Sequence, residues 1–354
     1  MAEKVLMKGN EALAEAAIQA GCRHFFGYPI TPQTEVAAYM AKRMPKIGGT
    51  YLQAESEIAA INMVLGAASA GVRAMTSSSS PGISLKSEGI SYMAGSDLPC
   101  LIINVQRGGP GLGGIQPSQS DYWQATKATG HGDFQILVFA PSTVQEIVTY
   151  VFKAFDLADT YRMPAMILAD GMLGQMMEPV VVEKPQGVVI PPKTWATNGT
   201  EGKRPHNIIN SLYLNPQELE DNIRKRFARY EIIKSKEQVA ESLYTEDADI
   251  VVVSYGATSR IVKSAVKAAR EKGIKAGIVR PVTLWPYPEK AMKEAARTAK
   301  AFLSVEMSMG QMVDDLRLSI DCSRPVHFFG RTGGVIPTPN EVLEQIEKIA
   351  GGIR

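Results

Sequence analysis

LPCLIINVQRGGPGLGG, residues 98–114, holds the decision about the fold. Its first nine residues are almost continuously apolar. A strand that is buried on both faces reads this way, and such strands belong to parallel sheets covered by helices on both sides. The run then stops at Arg107 and breaks into glycines. Gly109, Gly111 and Gly114 form a G-x-G-x-x-G string, which raises the possibility of a dinucleotide site. The surroundings argue against it. Pro110 lies inside the string, Pro117 follows before a helix can form, and Asp133, the nearest acid at about the right spacing, precedes a strand instead of ending one. A nicotinamide-dependent oxidoreductase built on these glycines is therefore disfavoured. A loop whose backbone can approach a ligand fits better. Arg107 leaves the strand at its C-terminal end, the edge where open α/β sheets bind ligands. A surface or structural ion pair is the competing reading of this arginine.

The same rhythm extends outward from this strand. Residues 8–20 and 34–43 have helical spacing, and 24–29, 50–54 and 72–78 read as strands. A helix rich in small residues covers 55–71, and another runs to about Ala94. Residues 135–141 and 164–170 repeat the apolar strand pattern. Strands alternating with helices predict an α/β fold with a parallel sheet over residues 1–182. Residues 183–245 differ. They begin with a stretch rich in proline and glycine, and they continue into a charged helical segment that reads as a solvated face. From 246 to 354 the alternation resumes in a smaller α/β domain, with strands at 249–256, 274–286, 301–307 and 326–334 and helices at 258–273 and 339–352.

The bulk properties exclude several classes. A 354-residue chain with 45% hydrophobic and 21% charged residues is an ordinary globular composition. The net charge of +2 carries no basic field for nucleic acid. No apolar run is long enough to span a bilayer, and MAEKVLMKGNEALAEAA lacks the pattern of a signal peptide, so a cytoplasmic location is expected. Cys22, Cys100 and Cys322 stand apart in apolar contexts and read as small buried hydrophobes. Without a CxxC, and with no metal spacing among the four histidines, the chain offers no ligands for zinc or an iron–sulfur cluster.

The strand exits collect unusual chemistry. GYPITPQTE (27–35) places two prolines and two threonines after one strand. AESEIAAI (54–61) places Glu55 and Glu57 at a helix start, where the helix dipole alone would favour them. TSSSSPGISLKSEG (76–89) supplies a serine turn and Lys86, with N-capping the plain explanation for the serines. With Arg107, these exits would lie along one edge of the sheet.

GYPITP, QAESEIAA, LPCLIINVQRGGPG and QPSQSDYWQ, in this order, closely resemble the α subunit of the 2-oxoacid:ferredoxin oxidoreductases. The resemblance covers the whole chain. It implies a pyrimidine-binding domain of a thiamine diphosphate enzyme over 1–182 and a transketolase C-terminal-type domain over 246–354. Among relatives, the chain looks most like the subunits that act on 2-oxoisovalerate, with the 2-oxoglutarate type second and pyruvate a further possibility. By the resemblance, Glu57 is the acid that bonds to N1′ of the aminopyrimidine, favouring the imino tautomer that can take the thiazolium C2 proton. Glu55 is the weaker candidate. Thr31 is implied to contact the substrate near its reacting carbon, held by a loop that Pro29 and Pro32 stiffen. Arg107 is implied to pair with the 2-oxoacid carboxylate, whose shape its planar fork matches. Pro29 and Ile30 would line the pyrimidine side.

One departure from the thiamine diphosphate pattern is informative. ADGMLGQMMEP (169–179) lacks the leading glycine and the following asparagine of the Mg²⁺-binding motif, so Asp170 reads as structural. The resemblance therefore implies a shared cofactor. A β subunit would hold the diphosphate and its Mg²⁺, an iron–sulfur subunit would pass electrons to ferredoxin, and coenzyme A would accept the acyl group in a dimer of heteromers. Arg280 and Arg331 are possible contacts for its phosphates. Lys86, Gln116 and Gln119 are the residues to inspect for substrate selectivity. A non-catalytic assembly module is the alternative from another class.

Overall fold

A computed structural model describes residues 4–353 of the chain. Residues 1–3, at the head of the N-terminal stretch read above, and residue 354 lie outside the described residues. The first part of the chain runs β1 (Val5–Lys8), α1 (Gly9–Gln19), β2 (His24–Gly27), α2 (Thr34–Arg43), β3 (Thr50–Gln53), α3 (Glu57–Ser69), β4 (Ala74–Ser78) and α4 (Ser80–Gly95). It continues through β5 (Cys100–Gln106), α5 (Tyr122–Thr126), β6 (Leu137–Phe139), α6 (Val144–Tyr161), β7 (Pro164–Asp170), α7 (Gly171–Gln175) and β8 (Met177–Val180). After a long irregular stretch come α8 (Pro216–Lys236), β9 (Ala240–Leu243), β10 (Ile250–Val253), α9 (Thr258–Glu271), β11 (Ala276–Pro281) and β12 (Thr283–Trp285). The chain closes with α10 (Glu289–Ala295), β13 (Ala301–Glu306), α11 (Met312–Ser319), β14 (Val326–Gly330) and α12 (Pro339–Ile353).

The apolar run at 100–106 becomes β5, the middle strand of a seven-stranded sheet ordered β12-β6-β7-β5-β4-β2-β3. Every residue of β5 and of its neighbours β4 and β7 is buried, as strands sandwiched between helix layers must be. All pairings in this sheet are parallel except that of β12 with β6. The second sheet is ordered β14-β13-β10-β11-β9, with β9 alone antiparallel. A small antiparallel pair, β1 with β8, joins the two ends of the first part.

Several details differ from the sequence reading. Residues 274–286 were expected as one strand, but the chain breaks it at Val282. β11 pairs in the second sheet, and β12 crosses to pair with β6 of the first. β9, inside the segment read as linker and charged helix, forms an edge of the second sheet. The α8 face is not uniformly polar, since Leu219, Phe227 and Ile232 are exposed on it. Cys22 and Cys100 are buried as expected, whereas Cys322 is exposed just beyond α11. Among the described residues no helix is long and apolar enough to cross a membrane.

Arg280 of β11 ties the sheets together. Its Nη1 and Nη2 donate to Glu146 of α6 at 3.0 and 2.7 Å, and its Nε donates to Glu241 of β9 at 2.7 Å. Only 3% of the residue is exposed. All three guanidinium nitrogens are thus committed to carboxylates, which overturns the reading of Arg280 as a phosphate contact. Removing one partner of such a pair leaves uncompensated charge. Arg280→Met should destabilise the chain by about 2–3 kcal/mol in chemical denaturation, less than a fully buried pair because both glutamates keep some access to water.

Candidate active site

The strands β2, β3, β4 and β5 run parallel, so their C-terminal ends open on one edge of the sheet. β4 lies between β2 and β5. The β4–α4 turn therefore sits between the Thr31 loop on one side and the Arg107 loop on the other.

Arg107 is the hub of this edge. It is 7% exposed, and its Nη1 donates to the Thr31 carbonyl at 2.9 Å. Nη2 donates to the Leu112 carbonyl at 3.2 Å within the glycine loop, and its backbone amide donates to Ser80 Oγ at 3.0 Å. Ser80 Oγ in turn donates to Asp121 at 2.6 Å, and Asn104 bonds the same carboxyl oxygen at 3.0 Å. Burial pushes the Asp121 carboxyl above its ordinary range, with the Ser80 and Asn104 bonds opposing the shift. This network fixes the exit of β5 against the exit of β4.

The loop that carries Thr31 is held from three sides. Asn10 Nδ2 donates to the Pro32 carbonyl at 2.8 Å, Ser77 Oγ donates to the Gln33 side chain at 2.6 Å, and Arg107 holds the Thr31 carbonyl. Thr31 itself is exposed on this fixed backbone. Pro29 is exposed and Ile30 half-buried on the same loop. Sequence reasoning missed Asn10, Gln33, Asp121 and Asn104. Each is a buried polar residue beside a strand exit or at a helix start, and that was the only signal available for them.

Glu57 opens α3, where Ser56 caps the helix by accepting from Ala59 N at 3.2 Å. Glu57 is 6% exposed while Glu55 is exposed. Its side chain lies over Gly82 in the first turn of α4. A Cβ at Gly82 would stand 2.8 Å from Glu57 Oε1 and 2.1 Å from Ser78 Oγ, so only glycine allows this approach. The β4–α4 turn thus touches Glu57 through Gly82 and Arg107 through Ser80. Three buried polar atoms on this edge have no protein partner among the described residues: Ser78 Oγ, Ser79 Oγ and Arg107 Nε. Buried polar atoms are normally satisfied, and a cluster of orphans beside a buried carboxyl suits a polar ligand.

The other inspected residues have different work. Gln119 is buried between the two parts, bonding Tyr255 O, Thr258 Oγ1 and Met307 N, so it does not face a ligand. Gln116 borders a cleft of ≈ 650 Å³ beside Thr31, with Pro32, Ile115, Met172, Met176 and Ile336 among its walls. Glu35 also lines it, and its carboxyl is held below the ordinary range by bonds from Gln175 and Asn10 against the cost of burial. Asp170 caps α7 by accepting from Met172 N and Leu173 N. Arg331 is partly exposed and pairs loosely with Glu341 at 3.5 Å. Lys86 is fully buried, and its Nζ donates to Thr76 Oγ1 at 2.6 Å and to the Ser77 carbonyl at 3.2 Å.

The parallel sheet thus brings a buried acid at one strand exit, an arginine at another and orphaned polar atoms between them to one edge. The family model described as "pyruvate flavodoxin/ferredoxin oxidoreductase, thiamine diP-bdg" matches residues 15–242, and the pyruvate:ferredoxin oxidoreductase core domain II matches 248–342. The chain is 45% identical over 346 residues to the ketoisovalerate oxidoreductase subunit VorB of Methanothermobacter marburgensis, covering 98% of each chain. A 2-oxoglutarate:ferredoxin oxidoreductase from Magnetococcus marinus, solved with 2-oxoglutarate, coenzyme A and succinyl-CoA bound, aligns at 30% identity with a TM-score of 0.88. That alignment covers 98% of this chain but 65% of the solved one, so the chain spans just under two thirds of that structure's length. A split-gene transketolase shares the fold at a TM-score of 0.60 and 14% identity. The chain belongs to the 2-oxoacid:ferredoxin oxidoreductase family, as one of its subunits.

Two outcomes follow from this geometry. Gly82→Ala should force Ser78 and Glu57 apart, lowering stability by about 1–3 kcal/mol as overpacking does, and a crystal structure should show the Glu57 carboxyl displaced. Burial pushes the Lys86 ammonium down to about 7 from its ordinary 10.5. Between these values the unfolded chain binds the extra proton, so stability should rise with pH from about 7 towards 10. Lys86→Met should remove that rise in denaturation midpoints measured across the window.

Proposed function

We propose that the chain is the pyrimidine-holding subunit of a thiamine diphosphate-dependent oxidoreductase acting on 2-oxoisovalerate or a related branched-chain 2-oxoacid. The reaction releases CO₂, forms an acyl-CoA and passes two electrons to ferredoxin. The observation that carries this reading is the β4–α4 turn, which packs on Glu57 through Gly82 and on Arg107 through Ser80 while Arg107 grips the Thr31 loop.

Thiamine diphosphate, when bound, supplies the nucleophilic carbon and the electron sink for decarboxylation. Glu57, buried at 6% exposure, would be the residue to hold or release a proton towards the pyrimidine ring of the bound cofactor. Pro29 and Ile30 would border the ring on the loop side. The Arg107 guanidinium turns its fork to the carboxylate of the 2-oxoacid, giving up a carbonyl bond for a charge-assisted one. The Thr31 hydroxyl steers the keto oxygen, and the three anchors on its loop keep that hydroxyl where it is useful.

The cleft beside Thr31 supports a branched-chain substrate. Its walls are mainly apolar and, among the described residues, no lysine or arginine lines it; the one nearby cation, Lys8, is paired with the Glu35 carboxylate at 3.7 Å. Lys86 does not reverse this, because it is sealed beneath the turn. The 2-oxoglutarate reading keeps the same mechanism and draws on the Magnetococcus marinus relative. A β subunit holds the diphosphate and Mg²⁺, an iron–sulfur subunit conducts the electrons, and coenzyme A enters from the open edge, in a cytoplasmic dimer of heteromers. The unit over 1–182 carries the cofactor half-site, 183–245 joins it to the unit over 246–354, and the latter braces it.

The test is viologen or ferredoxin reduction by the assembled complex with coenzyme A, offered 2-oxoisovalerate, 2-oxoglutarate and pyruvate in parallel. Turnover should be fastest on 2-oxoisovalerate, and Glu57→Ala should lower it by about 10²–10⁴-fold with assembly intact. Near-normal turnover in that variant would favour a non-catalytic assembly role. Arg107→Lys should raise KM about 10-fold or more, because an ammonium cannot reproduce a two-point grip on a carboxylate.

A further inference from the structure

We infer that Ile336, from the unit over 246–354, is a specificity-determining residue: it forms the wall of the cleft beside Thr31 that sets how long an apolar tail the 2-oxoacid can carry. The inference rests on the reading of that cleft as the place of the substrate's tail.

Among the described residues that line this cleft, Ile336 alone comes from beyond residue 246. It lies on the loop between β14 and α12, and two contacts bring it there. Gly334 is pressed onto Gln116. A Cβ at this position would stand 2.3 Å from Gln116 Cβ, and its φ of +93° suits glycine. Gln116 is itself tied to the arginine exit, because its carbonyl accepts from Gly108 N at 3.0 Å and the adjoining Pro117 bridges to Arg107. Ile336 follows two residues after this seat. Beyond it, Thr338 donates to Glu341 Oε2 through its amide at 2.8 Å and through its hydroxyl at 3.0 Å, at the entry to α12. The loop is thus held on both sides of Ile336, with its foot on the strand exit that carries Arg107.

The other apolar walls give way more easily. Met172 and Met176 are unbranched and can repack around a ligand. Ile115 directly follows two glycines, Gly113 and Gly114, on the loop after β5. Isoleucine is β-branched and has few rotamers, so on a held loop Ile336 presents a stiff surface. Packing between the two parts of the chain does not account for it, since 36% of the residue stays exposed in the cleft wall. A stiff apolar wall discriminates tails by length, and one methylene too many or too few changes kcat/KM by about 10–200-fold in a hydrophobic pocket.

The experiment measures kcat/KM of the assembled complex with coenzyme A on pyruvate, 2-oxoisovalerate and the one-methylene-longer 4-methyl-2-oxopentanoate. Ratios between acids within one preparation are indifferent to any loss of active complex. Ile336→Ala should raise the ratio of the longer acid to 2-oxoisovalerate by about 10-fold or more, and Ile336→Phe should raise the ratio of pyruvate to 2-oxoisovalerate by a similar factor. Should Ile336→Ala fail to assemble, Ile336→Val reads the same ratio with a smaller rise. Occupancy is read without turnover. In a Cys322→Ser background, 2-oxoisovalerate should slow alkylation of the thiol introduced by Ile336→Cys, followed by mass spectrometry of this chain. Cys22 and Cys100 are buried and do not interfere. Unchanged ratios in the alanine (or valine) and phenylalanine variants overturn the inference, as does alkylation that 2-oxoisovalerate does not slow. A wild-type complex with no turnover on any 2-oxoacid would defeat the proposed reaction itself, and the inference with it.

Discussion

The hydroxyl of Ser80 fixes two strand exits to each other. It accepts from the Arg107 amide and donates to Asp121, whose carboxyl also holds Asn104 at the end of β5. Every group in this network is buried, so no water competes for these bonds and a missing partner would be costly. The arginine reaches the Thr31 carbonyl only because its own backbone is pinned there. The turn that carries Ser80 also carries Gly82, against which Glu57 lies. An acid, an arginine and a threonine on three separate loops are therefore located by one short turn.

That economy explains why the apolar strands could be read directly and the anchors could not. A strand covered on both faces must be apolar along its length, so 100–106 and 164–170 announced themselves. β9 is a short edge strand of mixed polarity that nothing local separates from helix tail or loop, whereas β12 was read only as the end of one longer strand. β1 and β8 owe their existence to each other, across most of the first part of the chain. The prolines and threonines of 27–35 marked a special loop, but its holders, Asn10 and Gln33, are distant or inconspicuous in sequence. Glu57 and Glu55 were separable by resemblance alone, and the structure adds that one is buried and the other is not. Arg280 shows the opposite case. At the end of a strand, an arginine that could meet a phosphate and one that is locked between two glutamates look the same in sequence.

The two parts of the chain meet through polar groups as much as apolar ones. Gln119 satisfies a carbonyl, a hydroxyl and an amide of the second part, and Arg280 spans α6 and β9. Directional bonds of this kind leave little freedom to slide, because displacement would strand several buried donors together. The Arg107 loop, which lies next to Gln119 in sequence, is steadied by the same contacts.

The crossing of β12 into the first sheet has a consequence for how the chain comes into being. β6 gains its outer neighbour only from residues 283–285, long after the rest of its sheet has left the ribosome. Until then β6 is an open edge, able to recruit a strand from another nascent chain. The first sheet is thus complete only when synthesis has passed the middle of the second, and the two units, which share one continuous core, mature together. A gene break between them would have to preserve that late strand exchange across two polypeptides.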